Sequence, residues 1–230
     1  MRKLILIFIL FGSVMVSWAQ GNLLIKNATV LTVTKGVAEN TDVLVKDGMI
    51  TQVAKSISAP AGYTVIDGTG KFLMPGIIDA HSHQGIDAIN EWTNPVTAEV
   101  FVGDALNPFD VSLYRALAGG VTAIHAMHGS ANAIGGECET IKLRYGVKDP
   151  ETLRMVGAPR TIKFALGENP TRVHGSGNGI VPRTRMGVEF VIRESFAKAK
   201  VYAEAWDTYN KAKTQKGFRG TPPVYEARLE

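Results

Sequence analysis

The stretch Pro75-Gly76-Ile77-Ile78-Asp79-Ala80-His81-Ser82-His83 decides the predicted fold of this chain. After the Pro-Gly pair, an apolar run typical of a short buried strand ends in polar residues. His81 and His83 are two positions apart, and side chains at such positions on a strand point to the same face. Two imidazoles on one face can bind a single metal ion, although histidine is also a common surface residue. The end of a buried strand is where α/β barrels carry their catalytic groups.

Downstream of this stretch, apolar strands alternate with helices. We predict strands over residues 121–126, 139–143 and 161–166, and helices over 111–117 and 187–213. Such alternation indicates a parallel α/β arrangement. The longest predicted helix carries apolar residues at three- and four-residue steps from Val188 to Trp206, which predicts that this stripe packs on the sheet.

The segment before Pro75 has the character of β structure. Short apolar runs between residues 22 and 74 alternate with turn residues, and Asp47-Gly48 between two such runs is a strong hairpin signal. We therefore predict a small antiparallel β domain over residues 20–75, followed by an α/β domain over residues 76–230.

The first nineteen residues have the pattern of a secretory signal peptide. Arg2 and Lys3 precede an apolar run over residues 4–16, and Ser17-Trp18-Ala19 provides a cleavage site. The run is shorter than the roughly 20 residues that span a bilayer. We therefore predict a cleaved leader over residues 1–19 rather than a stable membrane anchor, and an exported protein in the periplasm or outside the cell.

The composition excludes several classes of protein. Apolar residues make up 45% and charged residues 20%, the balance of a globular domain with a core rather than of a disordered chain. The formal net charge of +4 falls to +2 without Arg2 and Lys3, which gives no reason to expect a nucleic acid as partner. Cys138 is the single cysteine, so no internal disulfide can form, and a structural thiol is the favoured interpretation.

The nine residues from Pro75 to His83 resemble the first-strand motif of the amidohydrolase superfamily, Pro-Gly-x-x-Asp-x-His-x-His. The stretches LLIKNATVLT, DVLVKDGMITQV and VIDGTGKFLMPG are similar to the β unit that precedes the barrel in these enzymes. Within the superfamily, ALAGGVTAIHAMHGSANAIGGE and IKFALGENPTRVHG resemble the imidazolonepropionase-related branch. The likeness extends from residue 22 to the end of the chain.

The resemblance implies a (β/α)8 TIM barrel with one or two divalent metals at its C-terminal face, of which this chain holds about the first four βα units. It implies hydrolysis of carbon–nitrogen bonds in amides, cyclic amides or dipeptides by a metal-activated hydroxide. Histidine and carboxylate ligands favour zinc, with manganese, iron and cobalt as alternatives. The expected partner is a small-molecule substrate, and a homo-oligomer is compatible with this fold.

The resemblance assigns metal binding to His81 and His83, and a bridging, catalytic role to Lys163 as a carboxylated lysine. A lysine in an apolar strand must pair or lose its proton, and a neutral amine can react with carbon dioxide. A lysine that extends its amine from the strand end to solvent is the alternative. Lys142 is a second candidate for carboxylation. Asp79 is expected to have a structural role that orients the ligands, and a simple hydrogen-bonding group at the strand end is the alternative.

Three further residues are predicted near the barrel mouth. His125 and His128 flank the end of the strand over residues 122–127, so both are candidates for substrate contact, with polar strand-end residues of no special role as the alternative. Glu168 follows Lys163 and is a candidate for substrate binding, although a helix entry through Asn169-Pro170 explains this segment equally well.

The resemblance also implies two more metal-binding histidines and a late aspartate, and after Lys163 the sequence contains only His174. A complete barrel takes about 250 residues, whereas residues 76–230 suffice for about four βα units. We therefore predict an N-terminal fragment that is inactive alone. The alternatives are an exported binding or interaction module without activity, and a deaminase or phosphoester hydrolase at the same site, because a fold does not fix the reaction.

Overall fold

A computed structural model describes residues 21–176 and 181–230 of the chain. The chain forms two compact units, with the division between Pro75 and Gly76. The predicted leader over residues 1–19 lies outside the described residues. Within the described ranges, no helix combines the length and the apolar character that a bilayer crossing requires.

The first unit is a five-stranded sheet. Its strands are β1 (Leu23–Leu31), β2 (Val37–Lys46), β3 (Met49–Ala54), β4 (Thr64–Asp67) and β5 (Phe72–Leu73). The order is β3-β2-β1-β4, and β5 also pairs with β1. The predicted hairpin is present, since Asp47 and Gly48 join β2 to β3 with positive φ angles of 51° and 77°.

The sheet of the first unit is mixed rather than antiparallel throughout. β1, β2 and β3 are antiparallel, as predicted, but β4 and β5 both pair with β1 in the parallel sense. After β3, at one edge of the sheet, the chain crosses to the other side of β1. Because of this crossover, β4 and β5 run parallel to β1, where antiparallel pairing was predicted. Buried Ala28, Val30 and Val43 form the core of the unit.

The second unit contains a four-stranded sheet in the order β6-β7-β8-β9. The strands are β6 (Ile77–Ser82), β7 (Val121–Ala126), β8 (Ile134–Lys142) and β9 (Thr161–Phe164), and the helices are α1 (Val111–Ala118), α2 (Glu168–His174) and α3 (Arg185–Ala212). Short 3-10 turns occupy Val102–Ala105 and Pro150–Leu153. This is the partial barrel wall expected from the sequence, so the predicted fold class is confirmed.

The third strand of this sheet runs against the predicted direction. β6 and β7 are parallel, but β8 is antiparallel to both β7 and β9. Only residues 127–133 connect β7 to β8, whereas a parallel connection needs a dozen or more residues. The strand predicted over residues 139–143 is therefore the second half of a longer hairpin arm that starts at Ile134.

The two faces of this sheet differ in character. Ile124 and Ala126 of β7 and Ile141 of β8 pack with Leu113 of α1 and with Leu153 in one buried cluster. Successive side chains on a strand alternate between faces. His125 and Thr140 therefore lie on the opposite face, which faces the barrel interior and carries the polar groups described below.

The longest helix packs on the sheet only near its start. α3 begins at Arg185, and the Thr184 side chain caps it by accepting a hydrogen bond from the Gly187 amide. Val188 and Val191 are buried with Ala133. The side chain of Phe196 is 60% exposed, although its ring stacks on the Phe164 ring with the two ring centroids 6.2 Å apart. The prediction that the whole apolar stripe packs on the sheet is wrong for the second half of the helix, because the sheet ends at β9.

Candidate functional site

The two histidines of the quoted stretch lie close together at the end of β6. The ring centroids of His81 and His83 are 5.3 Å apart, with an interplanar angle of 87°. Asp79, two positions before His81, accepts a hydrogen bond from the His81 amide at 3.1 Å. The alternation expected of a strand therefore brings both imidazoles to the interior face, with the carboxylate restraining the backbone beneath them.

Lys163 of β9 reaches His81 of β6 across the concave face of the sheet. The Lys163 Nζ atom is 3.1 Å from Nε2 of His81, and the lysine side chain is 6% exposed. β7 and β8 lie between these strands, and a flat sheet would separate β6 from β9 by three spacings of roughly 4.8 Å. The contact therefore requires the curl of a barrel wall.

Burial and charge change the titration of this pair. Burial lowers the pKa of the Lys163 amine, and the nearby Cys138 thiol opposes that shift. The charge of Lys163 lowers the pKa of His81, and burial adds to the effect. Both shifts favour the neutral forms of the amine and the imidazole, which are the forms that can react with carbon dioxide or donate a lone pair to a cation.

His83 has a defined tautomer. Its Nδ1 atom lies 2.8 Å from the Met127 carbonyl oxygen. A carbonyl oxygen can only accept, so Nδ1 carries the proton and the Nε2 lone pair remains available. In metal-binding histidines, the ring nitrogen that does not bind the metal typically donates a hydrogen bond to an acceptor such as a backbone carbonyl.

These residues fit a metal site through His81, His83 and a carboxylated Lys163. Across residues 21–176 and 181–230, no group of three or more histidine, cysteine, aspartate or glutamate side chains is placed to hold a metal ion. The described donors are thus two imidazoles and one amine that reaches the same place. An amine that has taken up carbon dioxide becomes an anionic oxygen donor, which completes a set of three.

The other sequence candidate for carboxylation lies elsewhere. Lys142 ends β8 and pairs in register with Ala123, which also pairs with Ile78. Because β8 runs in reverse, Lys142 lies toward the amino-terminal end of β6, below His81, and it is exposed.

His125 links three strands. Its Nδ1 atom is 3.0 Å from the hydroxyl of Thr140 on β8, and its Nε2 atom is 3.0 Å from the hydroxyl of Thr161 on β9. Both ring nitrogens are therefore engaged within the barrel wall. Its substrate contact stays a prediction, and in this structure the ring ties β7 to β9 two residues before Lys163.

His128 and Glu168 occupy different surroundings. His128 is 2% exposed, accepts a hydrogen bond from the Glu91 amide at 2.9 Å and donates one to the Gly129 carbonyl at 3.0 Å. Burial lowers the pKa of His128. Glu168 is exposed at the start of α2, where its carboxylate lies 3.4 Å from Arg172. Glu168 is thus the accessible member of the three predicted substrate residues.

The sequence interpretation missed Asn132. This side chain is fully buried, and its amide donates to the carbonyls of Glu91 at 2.6 Å and Asn94 at 2.7 Å. The available signal was an asparagine between small residues in the loop over residues 130–136. These hydrogen bonds hold this segment to the loop after β6.

His174 predicts a pH-dependent stability. It is 8% exposed, its Nε2 atom has no hydrogen-bond partner among the described residues, and burial lowers its pKa below 6.5. The unfolded chain therefore binds more protons below about pH 6.5, so the free energy of unfolding falls as the pH falls through that value.

Urea unfolding at pH 7.5 and pH 5.5 measures this loss. The His174→Gln variant should lose less stability than the parent protein between the two values. His81 and His128 remain in both proteins, so the difference isolates His174. Equal losses would contradict the assignment.

Comparison with known proteins supports the fold described above. No protein-family model matches the sequence. The chain is 36% identical over 188 residues to amidohydrolase tasK of Hapsidospora irregularis, which covers 73% of this chain and 19% of that protein. The crystal structure of an amidohydrolase from Thermotoga maritima superposes with a TM-score of 0.76 and 38% identity, covering 90% of this chain and 53% of that one.

The chain belongs to the amidohydrolase superfamily.

Two further relatives match shorter stretches of this amidohydrolase chain. It is 38% identical over 104 residues to a dihydropyrimidinase of Dictyostelium discoideum, 18% of that protein. It is 44% identical over 62 residues to a dihydroorotase of Geobacter sulfurreducens, 15% of that protein. The chain spans 15% to 19% of the length of these curated relatives and about half of the Thermotoga maritima structure.

Proposed function

We propose that the protein containing this chain is a metal-dependent hydrolase of carbon–nitrogen bonds in amides, cyclic amides or dipeptides. The single observation that carries the proposal is the meeting of His81 Nε2 with the buried Lys163 amine, beside a His83 ring whose Nε2 is left available. The relatives named dihydroorotase and dihydropyrimidinase support a cyclic amide as the class of substrate. The imidazolonepropionase-related branch is proposed from the stretches quoted above.

His81, His83 and a carboxylated Lys163 would hold the metal, and zinc is the proposed ion, in one or two copies. Members of this superfamily are generally metal-dependent, and a bound divalent ion polarises a carbonyl group and lowers the pKa of water. The chain's own residues prepare that site. The Met127 carbonyl orients His83, the Asp79 carboxylate restrains the backbone at His81, and burial keeps the Lys163 amine away from solvent.

Glu168 is the proposed substrate contact, because it is exposed on the helix that follows Lys163. We also propose export to the periplasm or the extracellular space, on the basis of Arg2, Lys3 and the apolar run over residues 4–16. The proposed partner is a small molecule, and a homo-oligomer remains part of the proposal.

A substrate panel assayed with the full-length protein tests this function. The panel contains five- and six-membered cyclic amides and ureides, dipeptides, amino-substituted heterocycles and phosphate esters, each with added Zn²⁺ and with a chelator. We expect turnover of a cyclic amide or dipeptide that the chelator abolishes. Chelator-sensitive release of ammonia or phosphate would instead identify a deaminase or a phosphoester hydrolase, and a protein that retains no metal and hydrolyses nothing would contradict the proposal.

A further inference from the structure

Two loops at the carboxyl ends of the strands are held together by hydrogen bonds. They are the loop over residues 89–97 and the loop over residues 127–134, and we call them the paired loops. Five backbone amides connect them. Three donate to backbone carbonyls: Gly129 to Ile89 at 2.7 Å, Thr97 to Ile134 at 2.9 Å, and Ile134 to Pro95 at 3.2 Å. Two donate to side chains: Glu91 to the His128 ring at 2.9 Å and Ala131 to the Asn90 amide oxygen at 3.1 Å. The buried Asn132 amide adds its bonds to the carbonyls of Glu91 and Asn94.

His128 is the side chain at the centre of the paired loops. It accepts from the Glu91 amide at Nε2 and donates to the Gly129 carbonyl at Nδ1, so the ring is held as the neutral Nδ1–H form. The backbone leaves room for it at Gly135, where an added Cβ would lie 2.6 Å from the His128 Nδ1 atom. A ring that is 2% exposed and engaged at both nitrogens has no group to offer a substrate.

The restraint on His128 extends to His83. The Met127 carbonyl that accepts from His83 Nδ1 belongs to the peptide unit that joins Met127 to His128. This unit is planar. The hydrogen bonds of the His128 ring restrain the residue that follows the Met127 carbonyl, and so limit the directions that this carbonyl can take. While the carbonyl faces His83 Nδ1, it keeps the proton of His83 on that nitrogen.

We propose that His128 is a positioning residue that sets the tautomer and the orientation of His83. This role takes the place of the substrate contact predicted from the sequence. Its consequence for metal binding rests on the proposed function, because His83 Nε2 is useful to a cation only while Nδ1 holds the proton. Loss of an outer partner of this kind typically lowers metal affinity by about 10- to 100-fold.

The tautomer of His83 is the first measurement, because it needs no metal. Long-range ¹H–¹⁵N spectra of the metal-free full chain should show the Nδ1–H form of His83 in the parent protein. His128→Phe removes both ring hydrogen bonds and should shift His83 toward Nε2–H. His128→Gln keeps an acceptor for the Glu91 amide and should retain the parent tautomer. His174→Gln, at a buried histidine of the same unit, is the matched control and should change nothing at His83.

His128→Asn keeps the experiment decisive if the phenylalanine variant does not fold. Its shorter amide can still donate to Gly129 but falls short of Glu91, so it should resemble the phenylalanine variant and not the glutamine variant. Co²⁺ titration of the same proteins should show a loss of affinity of about 10- to 100-fold for His128→Asn and His128→Phe only.

The outcomes separate the inference from the proposed function. If the parent protein shows Nδ1–H at His83 but binds no Co²⁺, the proposed metal site fails while the positioning role remains. If the parent binds Co²⁺ and the asparagine variant keeps both its tautomer and its affinity, the positioning role is overturned. A change of equal size in His174→Gln would also overturn it, because the effect would then be a general loss of stability.

Discussion

His81→Asn and His83→Asn are each expected to lower the affinity of the full-length protein for Zn²⁺ or Co²⁺ by more than about 100-fold, beyond the range found for outer partners. Each substitution removes one of the two imidazoles that the strand places on the same face, with ring centroids 5.3 Å apart. The rate of metal-dependent hydrolysis should fall at least in proportion to the loss of metal affinity.

Metal content after dialysis and turnover in the presence of excess Zn²⁺ measure this prediction together. His174→Asn is the matched control, since it removes a histidine that is buried in α2. The control should retain metal and activity. Full metal retention in both His81→Asn and His83→Asn would place the metal at other residues.

Lys163→Met is expected to abolish a carbamate signal and to reduce metal-dependent hydrolysis by more than about 100-fold. In the proposed carboxylation, the neutral amine would attack the carbon of carbon dioxide. A nitrogen–carbon bond would form, one C=O π bond would open, and one proton would pass to solvent, which leaves an anionic carbamate. Methionine fills the same apolar space but has no amine. The effect should exceed that of any substitution at the protein surface, because the proposed carbamate would supply the third donor of the proposed metal site.

A ¹³C spectrum recorded with labelled bicarbonate tests the carbamate directly. Lys142→Met is the control, since Lys142 is exposed at the far end of β8 and was the competing candidate from the sequence. The signal should persist in Lys142→Met and disappear in Lys163→Met. The reverse result would assign the carbamate to Lys142, and a signal in neither the parent nor the variants would remove carboxylation from the proposed site.

The residues that the sequence could place are those that depend on local pattern. An apolar run that ends in His-x-His predicts its own strand, because alternation is a property of the strand itself. The helix predicted over residues 187–213 is observed as Arg185–Ala212 for a similar reason, since its apolar period is local. The superfamily resemblance predicted that Lys163 and His81 belong to one metal site. The curl of the sheet explains how β6 and β9 bring the two side chains into contact.

The residues that the sequence could not place depend on contacts between distant segments. The sequence of residues 127–133 does not indicate that β8 runs antiparallel to β7, because an apolar run has the same pattern in either strand direction. His128 resembled a substrate residue because it follows a strand end, and only the amide of Glu91 shows that its ring is already engaged. Asn132 gave no signal beyond its type, because its partners lie about forty positions earlier in the chain.

The reversed direction of β8 has a consequence for the order in which the second unit assembles. β7 and β8 form a hairpin across residues 127–133, and such local pairings close within microseconds. β6 joins β7 only after the chain of residues 83–120 has been brought around, and closing a longer loop costs more conformational entropy. Contacts that are local in sequence form sooner than distant ones. We therefore expect the β7–β8 hairpin, with the loop that holds His83, to form before β6 pairs with β7.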